Sequence, residues 1–432
     1  MISEKIKDTI SGTPIIPGDK SISHRSIIIP SISQGVCEIN NLLKSDDVIH
    51  TMNAFKEMGV KIEESDNKVI VHGLGLNSLK RPSKEIYLGN SGTSARLLTG
   101  LLASQSFDSK ITGDKSLSSR PMKRISDPLS QMQAVISTVN GCLPLEIKGK
   151  DLKNSTIDIK IPSAQIKSGI LLASLNTSGT TKIIEHNVTR DHTEIMLKSF
   201  NADINIDKEN NKKIIQINGK KELTPNNIEV PCDLSSSAFF IVAALIHKNS
   251  KVLLKNININ PTRNGILIAL EKMGANISYI NKRISNNEQV CDMEVFGSDL
   301  NGCELDGDLA KLMIDEYPII SVAASFANST CIFRGLSELR VKESDRLELI
   351  KKNLLRCGVD CKIEGDDLFI NPSKTYSIKD HTIQTNYDHR IAMAFAVMGS
   401  KIGQIKIDEA NCIKTSFPNF IEEFNKVGGN IN

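Results

Sequence analysis

The feature of this chain that most limits its possible folds is internal repetition. Small, apolar, helix-like runs return at intervals of roughly 70 to 80 residues, a period expected of one supersecondary unit copied along a chain. They read SISHRSIIIPSIS from Ser21, SARLLTGLLAS from Ser94 and IKSGILLASL from Ile166. The later three are SSSAFFIVAALI from Ser235, EYPIISVAASFA from Glu316 and HRIAMAFAVMGS from His389. Each is rich in Ala, Ser and β-branched residues, which suits a helix buried on all sides and lying close to other backbone. Short turns such as Gln34-Gly35 and Ser178-Gly179 come next, then strand-like stretches such as TKIIEHN, KVLLKNINI and QIKIDEA. A second helical pattern ends MNAFKEMGVKI, LIALEKMGANI, LIKKNLLRCGVDCKI or FIEEFNKVGGNI. There Gly59, Gly274, Gly358 and Gly428 fall where a helix C-cap calls for positive φ. The predicted unit is helix, strand, helix, strand and one further strand. Six units predict two lobes of three, residues 20–229 and residues 1–19 with 230–432, with a boundary in the EVPCD stretch, residues 229–233.

Length agrees, since 432 residues exceed what one compact core organises. Trp is absent and aromatics make up only 4%, so packing must come from Ile, Leu, Val and Ala. The 53 basic residues nearly balance the 50 acidic ones, leaving +3, too little for a general nucleic-acid binder. Any cationic site must come from local clustering. The N-terminal MISEKIKDTI lacks a signal peptide's apolar core. The longest apolar run, residues 238–246, is far short of the ~20 residues of a membrane helix. Nine cysteines without a CxxC pair read as reduced thiols, so a cytoplasmic protein is expected.

Chemistry-bearing residues gather at the starts of first helices and in the loops before second helices. Pro17-Gly18-Asp19-Lys20-Ser21 opens the first, with Arg25 a turn further on. A helix N-terminus offers free N–H groups and partial positive charge, so with these side chains it suits a phosphate or carboxylate. The spacing is not that of a Walker A loop, and the bland alternative is a capped, exposed helix start. The second unit supplies LGNSGTSAR, containing Asn90, Gly92 and Arg96, then SRPMKR with Arg120 and Arg124. Guanidinium groups in such loops pair with carboxylate or phosphate in a bidentate way. In the third, Ser163-Ala164-Gln165 precedes a helix carrying Lys167, and Arg190-Asp191-His192 follows the strand. His186 and His192 lack the spacing of a metal site and read as structural. The fifth places Ile314-Asp315-Glu316 at the start of its first helix and VKESDR, residues 341–346, at the start of its second. The sixth gives Asp388-His389-Arg390 and then Lys414.

Together GDKSISHR, LGNSGTSAR, SRPMKR, IDEYP, RVKESDR and DHRIAMAFA, in this order, resemble the 5-enolpyruvylshikimate-3-phosphate synthase family over nearly the whole chain. The resemblance implies an α/β fold, a two-lobed enolpyruvyl-transferase-like inside-out α/β barrel of six βαβαββ units. It implies transfer of the carboxyvinyl group of phosphoenolpyruvate to the 5-hydroxyl of shikimate 3-phosphate, releasing phosphate, on the route to chorismate and aromatic amino acids. No metal or organic cofactor is implied, no nucleic-acid or membrane partner, and a monomer. Lys20, Arg120, Arg346, Arg390 and Lys414 match the family's phosphoenolpyruvate grip, with Asn90 alongside and Gly92 leaving room for the donor or for glyphosate. Ser21, Arg25, Ser163, Ala164 (through its backbone), Gln165, Arg190 and Lys342 match the shikimate 3-phosphate site. Asp315 is implied as the base that takes the hydroxyl proton, with Lys20 and Glu343 as candidates for proton delivery. Glu338 stands where some members have Asn, so that contact is not carried over. Two rivals remain at this point. UDP-N-acetylglucosamine 1-carboxyvinyltransferases share the fold, but typically show Lys-Asn where this chain has Lys20-Ser21, and a catalytic Cys where residues 114–124 have none. A non-catalytic anion-binding repeat scaffold leaves Asp315 and Glu343 unexplained.

Overall fold

The computed structural model of the chain describes residues 1–6, 9–65, 68–210, 212–373, 376, 378 and 380–432. Two compact units are present. One, the N-half unit, is Gly18–Val230 with Ser285–Glu288; the other, the C-half unit, is Met1–Pro17, Pro231–Ile284 and Gln289–Asn432.

The repeat is plainest in the second copy. Strand Ile86–Tyr87, helix Gly92–Ala103, strand Ser109–Thr112, two short helices and strands Val135–Val139 and Cys142–Lys148 follow in order. The first two strands pair in parallel, and the last folds back antiparallel between Ser109–Thr112 and Val135–Val139. The third copy repeats this sheet order with Thr156–Ile159, Thr180–Glu185, Lys212–Asn218 and Asp203–Glu209, and the fifth with Glu304–Leu305, Cys331–Phe333, Asp367–Asn371 and Asp360–Glu364. The other copies borrow strands. Ile228–Glu229 lies parallel to Gln34–Asn40 in the first sheet, and Ser11–Gly12 parallel to Lys251–Asn258 in the fourth. In the sixth, Ile405–Ile407 takes Thr382–Ile383 on one side and Ile2–Ser3 on the other.

The first helices form the interior of each unit. Every residue of Leu234–Ile246 is buried, as is every residue of Tyr317–Ser325. Such helices carry no charged side chain and are built mostly from small and apolar residues, because no face meets water. In the N-half unit, helices Gly92–Ala103 and Ala164–Ser174 touch backbone to backbone. A Cβ on Gly100 would lie 1.9 Å from the carbonyl oxygen of Gly169.

Several local expectations are corrected. The first helix of the fifth copy begins at Tyr317 with Glu316 as N-cap, so Asp315 lies in the break after helix Gly307–Met313. VKESDR does not open a helix at Val341. Ser337–Val341 is a 3-10 turn, and the helix starts at Arg346, where the Asp345 side chain accepts from Glu348 N at 3.0 Å. Gln34-Gly35, expected as a turn, begins strand Gln34–Asn40, with Gly35 opposite Gly73.

Candidate active site

In the N-half unit the Asp19 side chain caps helix Lys20–Ser31 by accepting from Ile22 N at 2.9 Å. Lys20 is thereby fixed at the first helical position, its Nζ 2.5 Å from Asp47 Oδ2. Arg25, 3% exposed, donates to Thr193 Oγ1 at 2.6 Å, Ser168 Oγ at 2.7 Å and the Ser21 carbonyl at 2.7 Å. Those acceptors are all neutral, and burial lowers its pKa to about 10. A buried cation whose hydrogen bonds among the described residues end on neutral oxygens, with Glu194 and Asp19 acting on it from further off, favours an incoming anion. The segment that supplies Thr193 and carries Arg190 is anchored by a buried ionic network. Lys167 Nζ sits 3.0 Å from Glu185 Oε2 and 2.8 Å from Glu194 Oε1, and Lys213 Nζ 3.1 Å from Glu194 Oε1. Burial opposes the Lys167 charge, but Glu194 and Glu185 outweigh it and raise its pKa. Lys167 is therefore a structural cation rather than an open one.

A second cluster surrounds Gly92. The Ser91 side chain caps helix Gly92–Ala103. A Cβ on Gly92 would lie 3.0 Å from Arg120 Nη1 and 3.0 Å from Arg96 Nη1, so glycine lets two guanidinium groups crowd one point of backbone. Arg96 donates to Gln165 Oε1 at 2.6 Å and to the Gly92 carbonyl at 3.3 Å, while Gln165 Nε2 donates to Thr93 Oγ1 at 2.9 Å. Arg120 donates to Asn90 Oδ1 and, at 3.2 Å, to Ser116 Oγ. Ser163 caps the helix that begins at Ala164, accepting from Ile166 N at 3.4 Å.

In the C-half unit the centre is Arg346, fully buried. Its Nε lies 2.8 Å from Asp388 Oδ2, its Nη1 3.2 Å from Asp315 Oδ1 and its Nη2 2.6 Å from Glu343 Oε2. Burial disfavours its charge, but Asp388, Glu343 and Asp315 more than offset this and raise its pKa. Lys342 Nζ stands 3.9 Å from Asp315 Oδ1. Asp388 also accepts from Ser344 Oγ at 2.9 Å and from Arg390 N at 3.0 Å, capping helix His389–Ile402. Arg346 thus holds two carboxylates, Asp315 and Glu343, both partly exposed, at fixed positions beside Lys342. Arg390 follows in the first turn of the helix that Asp388 caps, and Lys414 lies in the 3-10 segment Ala410–Thr415.

The sequence reading left four supporting residues without a role. Asp388 is singled out only beside His389 and Arg390, and Asp47 not at all; both prove to be counter-ions. Ser168 and Thr193, which hold Arg25, are small hydroxyl residues that give no signal of their own. Arg96 was visible as the cation one turn after Gly92, and that spacing was the available clue. His186 Nε2 lies 2.6 Å from Asp158 and His192 Nδ1 2.7 Å from Glu288. Among the described residues no group of three His, Cys, Asp or Glu side chains is placed to hold a metal ion. None of the nine cysteines is in a disulfide, and Cys142, Cys232, Cys303 and Cys412 are only half-buried.

The model of the family described as EPSP synthase (3-phosphoshikimate 1-carboxyvinyltransferase) matches residues 5–424. A 3-phosphoshikimate 1-carboxyvinyltransferase of Ruthia magnifica is 44% identical over 430 residues, 99% of this chain and 98% of the relative. One of Paramagnetospirillum magneticum is 42% identical over 435 residues, covering 100% and 98%. Among solved structures, an EPSP synthase from Acinetobacter baumannii superposes with a TM-score of 0.86 at 40% identity, covering 99% of this chain and 98% of that one. The enolpyruvyl transferase NikO from Streptomyces tendae gives a TM-score of 0.79 at 15% identity over 100% and 98% of the two chains, a likeness of fold alone.

Proposed function

This chain belongs to the EPSP synthase family, and from that premise we propose how its residues move the carboxyvinyl group of phosphoenolpyruvate onto the 5-hydroxyl of shikimate 3-phosphate. Both substrates carry phosphate and carboxylate, so bringing them together opposes strong like-charge repulsion. Lys20, Arg120, Arg346, Arg390 and Lys414 grip the donor, beside Asn90 and Gly92. Ser21, Arg25, Ser163, the Ala164 backbone, Gln165, Arg190 and Lys342 grip the acceptor.

The chemistry is addition followed by elimination. Asp315 takes the proton of the 5-hydroxyl as its oxygen bonds to C2 of phosphoenolpyruvate, and Lys20 or Glu343 gives a proton to the methylene carbon. Loss of a proton from the new methyl group then expels phosphate and restores the double bond. The observation that carries this reading is Asp315 held on a fully buried Arg346 with Lys342 beside it. Cations beside a carboxylate favour its ionised form, the form in which it can act as a base. The same reading takes a cytoplasmic monomer, working on small molecules without metal or organic cofactor.

Phosphate release tests it. With phosphoenolpyruvate and shikimate 3-phosphate the protein should release phosphate catalytically, and with UDP-N-acetylglucosamine as acceptor it should not. Release only with the sugar nucleotide, or with neither, rejects the reading.

A further inference from the structure

Beneath the Gly92 loop runs a buried chain of side-chain hydrogen bonds that the reaction itself does not call for. His24, on helix Lys20–Ser31, has Nδ1 2.8 Å from Thr51 Oγ1 and 3.2 Å from Ser94 Oγ. Thr51 Oγ1 and Ser94 Oγ are 2.6 Å apart, and so are Ser94 Oγ and Ser91 Oγ. Ser91 Oγ in turn accepts from Ser94 N at 3.1 Å, closing the cap immediately before Gly92. His24, Thr51 and Ser94 are 0% exposed and Ser91 is 1% exposed. The chain therefore ties three elements together: the helix that begins with Lys20, helix Asp46–Glu57 that carries Asp47, and the N-terminus of the helix that begins with Gly92.

The proton of the His24 ring can be placed from its surroundings. His24 Nε2 is buried with no hydrogen-bond partner. A buried N–H left unpaired is the rarer of the two orphans, so the proton sits on Nδ1. From there Nδ1–H donates to Thr51, whose hydroxyl also reaches the Asp47 carbonyl at 3.1 Å, and the Thr51, Ser94 and Ser91 hydroxyls are bonded in series. Burial, then Lys20 and Arg25, hold the imidazole pKa well below its ordinary value, so the ring is neutral. That matters because a charged ring would add a further cation under Lys20 and reverse no bond in the chain.

We propose that His24 is a positioning residue for the donor site, setting through Thr51, Ser94 and Ser91 where the Gly92 backbone stands against Arg96 and Arg120. The proposal rests on the assignment of Gly92 and Arg120 to phosphoenolpyruvate. A Cβ-free point 3.0 Å from both guanidinium groups leaves little slack, so a shift of the loop by a few tenths of an ångström changes the donor pocket. Arg25 and Ser163 stand on other contacts, so the acceptor grip should feel the change less than the donor site, through Gln165, which bonds Arg96 and Thr93.

The test is steady-state kinetics of the full chain. His24→Leu should raise KM for phosphoenolpyruvate by about tenfold, with kcat and KM for shikimate 3-phosphate within about twofold of wild type. His24→Asn, whose amide nitrogen replaces the Nδ1 donor, should restore most of the donor KM. Thr51→Val and Ser94→Ala interrupt the chain without touching the ring, and should reproduce the donor effect if His24→Leu does not fold. An unchanged donor KM in the folded variants overturns the proposal, as does an equal rise in both KM values or no rescue by Asn. Wild-type turnover separates the two levels. If the wild type does not use phosphoenolpyruvate, the assigned function fails; if it does and the variants behave as wild type, only the role of His24 fails.

Discussion

Asp315 shows how one residue's surroundings decide what removing it will do. Its Oδ1 is 3.2 Å from Arg346 Nη1, yet Arg346 keeps Asp388 and Glu343 when Asp315 is gone. Asp315→Ala therefore leaves the buried guanidinium paired, and a folded protein is expected. Loss of the base should lower kcat by about 100-fold or more, while calorimetric binding of shikimate 3-phosphate stays near wild type. Near-normal turnover would remove Asp315 from the chemistry. At this scale the charged residues were legible, because clustered cations at helix starts and loops are costly unless something anionic arrives. Their holders were not. Asp388, Thr193 and Ser168 are short polar side chains at or near helix starts, and a sequence does not tell a cap from a counter-ion. Asp388 is both, taking Arg390 N and Arg346 Nε at once.

Among the elements, first helices were the readable ones, since burial on all sides forces the same Ala, Ser and aliphatic composition six times. The segments between strand and second helix were less so. In the second copy that stretch becomes two short helices, Lys115–Ser118 and Lys123–Ser130, and in the fifth a 3-10 turn followed by a late helix start. These breaks place Arg120 and Lys342 in loops, and local capping by Asp114 and Asp345 sets them. A periodic glycine went unread. Gly73 lies at the end of strand Lys68–Leu74, and Gly149, Gly219 and Gly297 directly follow the strands at the centre of later sheets; a Cβ on each would meet a carbonyl oxygen at or just after the end of the first helix at 2.1 to 2.3 Å. Helix packing in the N-half unit makes the same demand at Gly100. Helix propensity alone would favour Gly100→Ala by about 1 kcal/mol. The Cβ would instead overlap the Gly169 carbonyl oxygen at 1.9 Å, against backbone that cannot rotate away. Overlap should win, with a net loss of about 3 kcal/mol or more in urea unfolding. A neutral or stabilising result would mean the two helices separate easily.

Across the whole molecule, the hardest feature to read was which sheet the N-terminal residues join. Ile2–Ser3 and Ser11–Gly12 are two-residue strands, too short for any alternation to show. Their effect is larger than their length. Ile2 and Asn432 exchange backbone hydrogen bonds at 2.7 and 2.9 Å, Ile407 N donates to the Met1 carbonyl at 2.8 Å, and Ser3 Oγ donates to the Ala396 carbonyl at 2.7 Å. Ser3 also packs on Gly399, where a Cβ would come within 2.7 Å of its own Cβ. The first residues of the chain thus complete the last repeat, and each bond lost there is worth about 1 kcal/mol. Removing residues 1–4 should cost the C-half unit on the order of 3 kcal/mol. It should also leave strand Ile405–Ile407 with an unpaired edge, prone to pair with another chain. Hydrogen exchange distinguishes this from general loosening. The amides of Ile407 and Asn432 should lose protection while those of Gln34–Asn40, whose partners lie in the N-half unit, keep theirs. Equal loss in both places would mean that the two units unfold as one, and unchanged protection at Ile407 would mean that the sixth sheet closes without its borrowed strand.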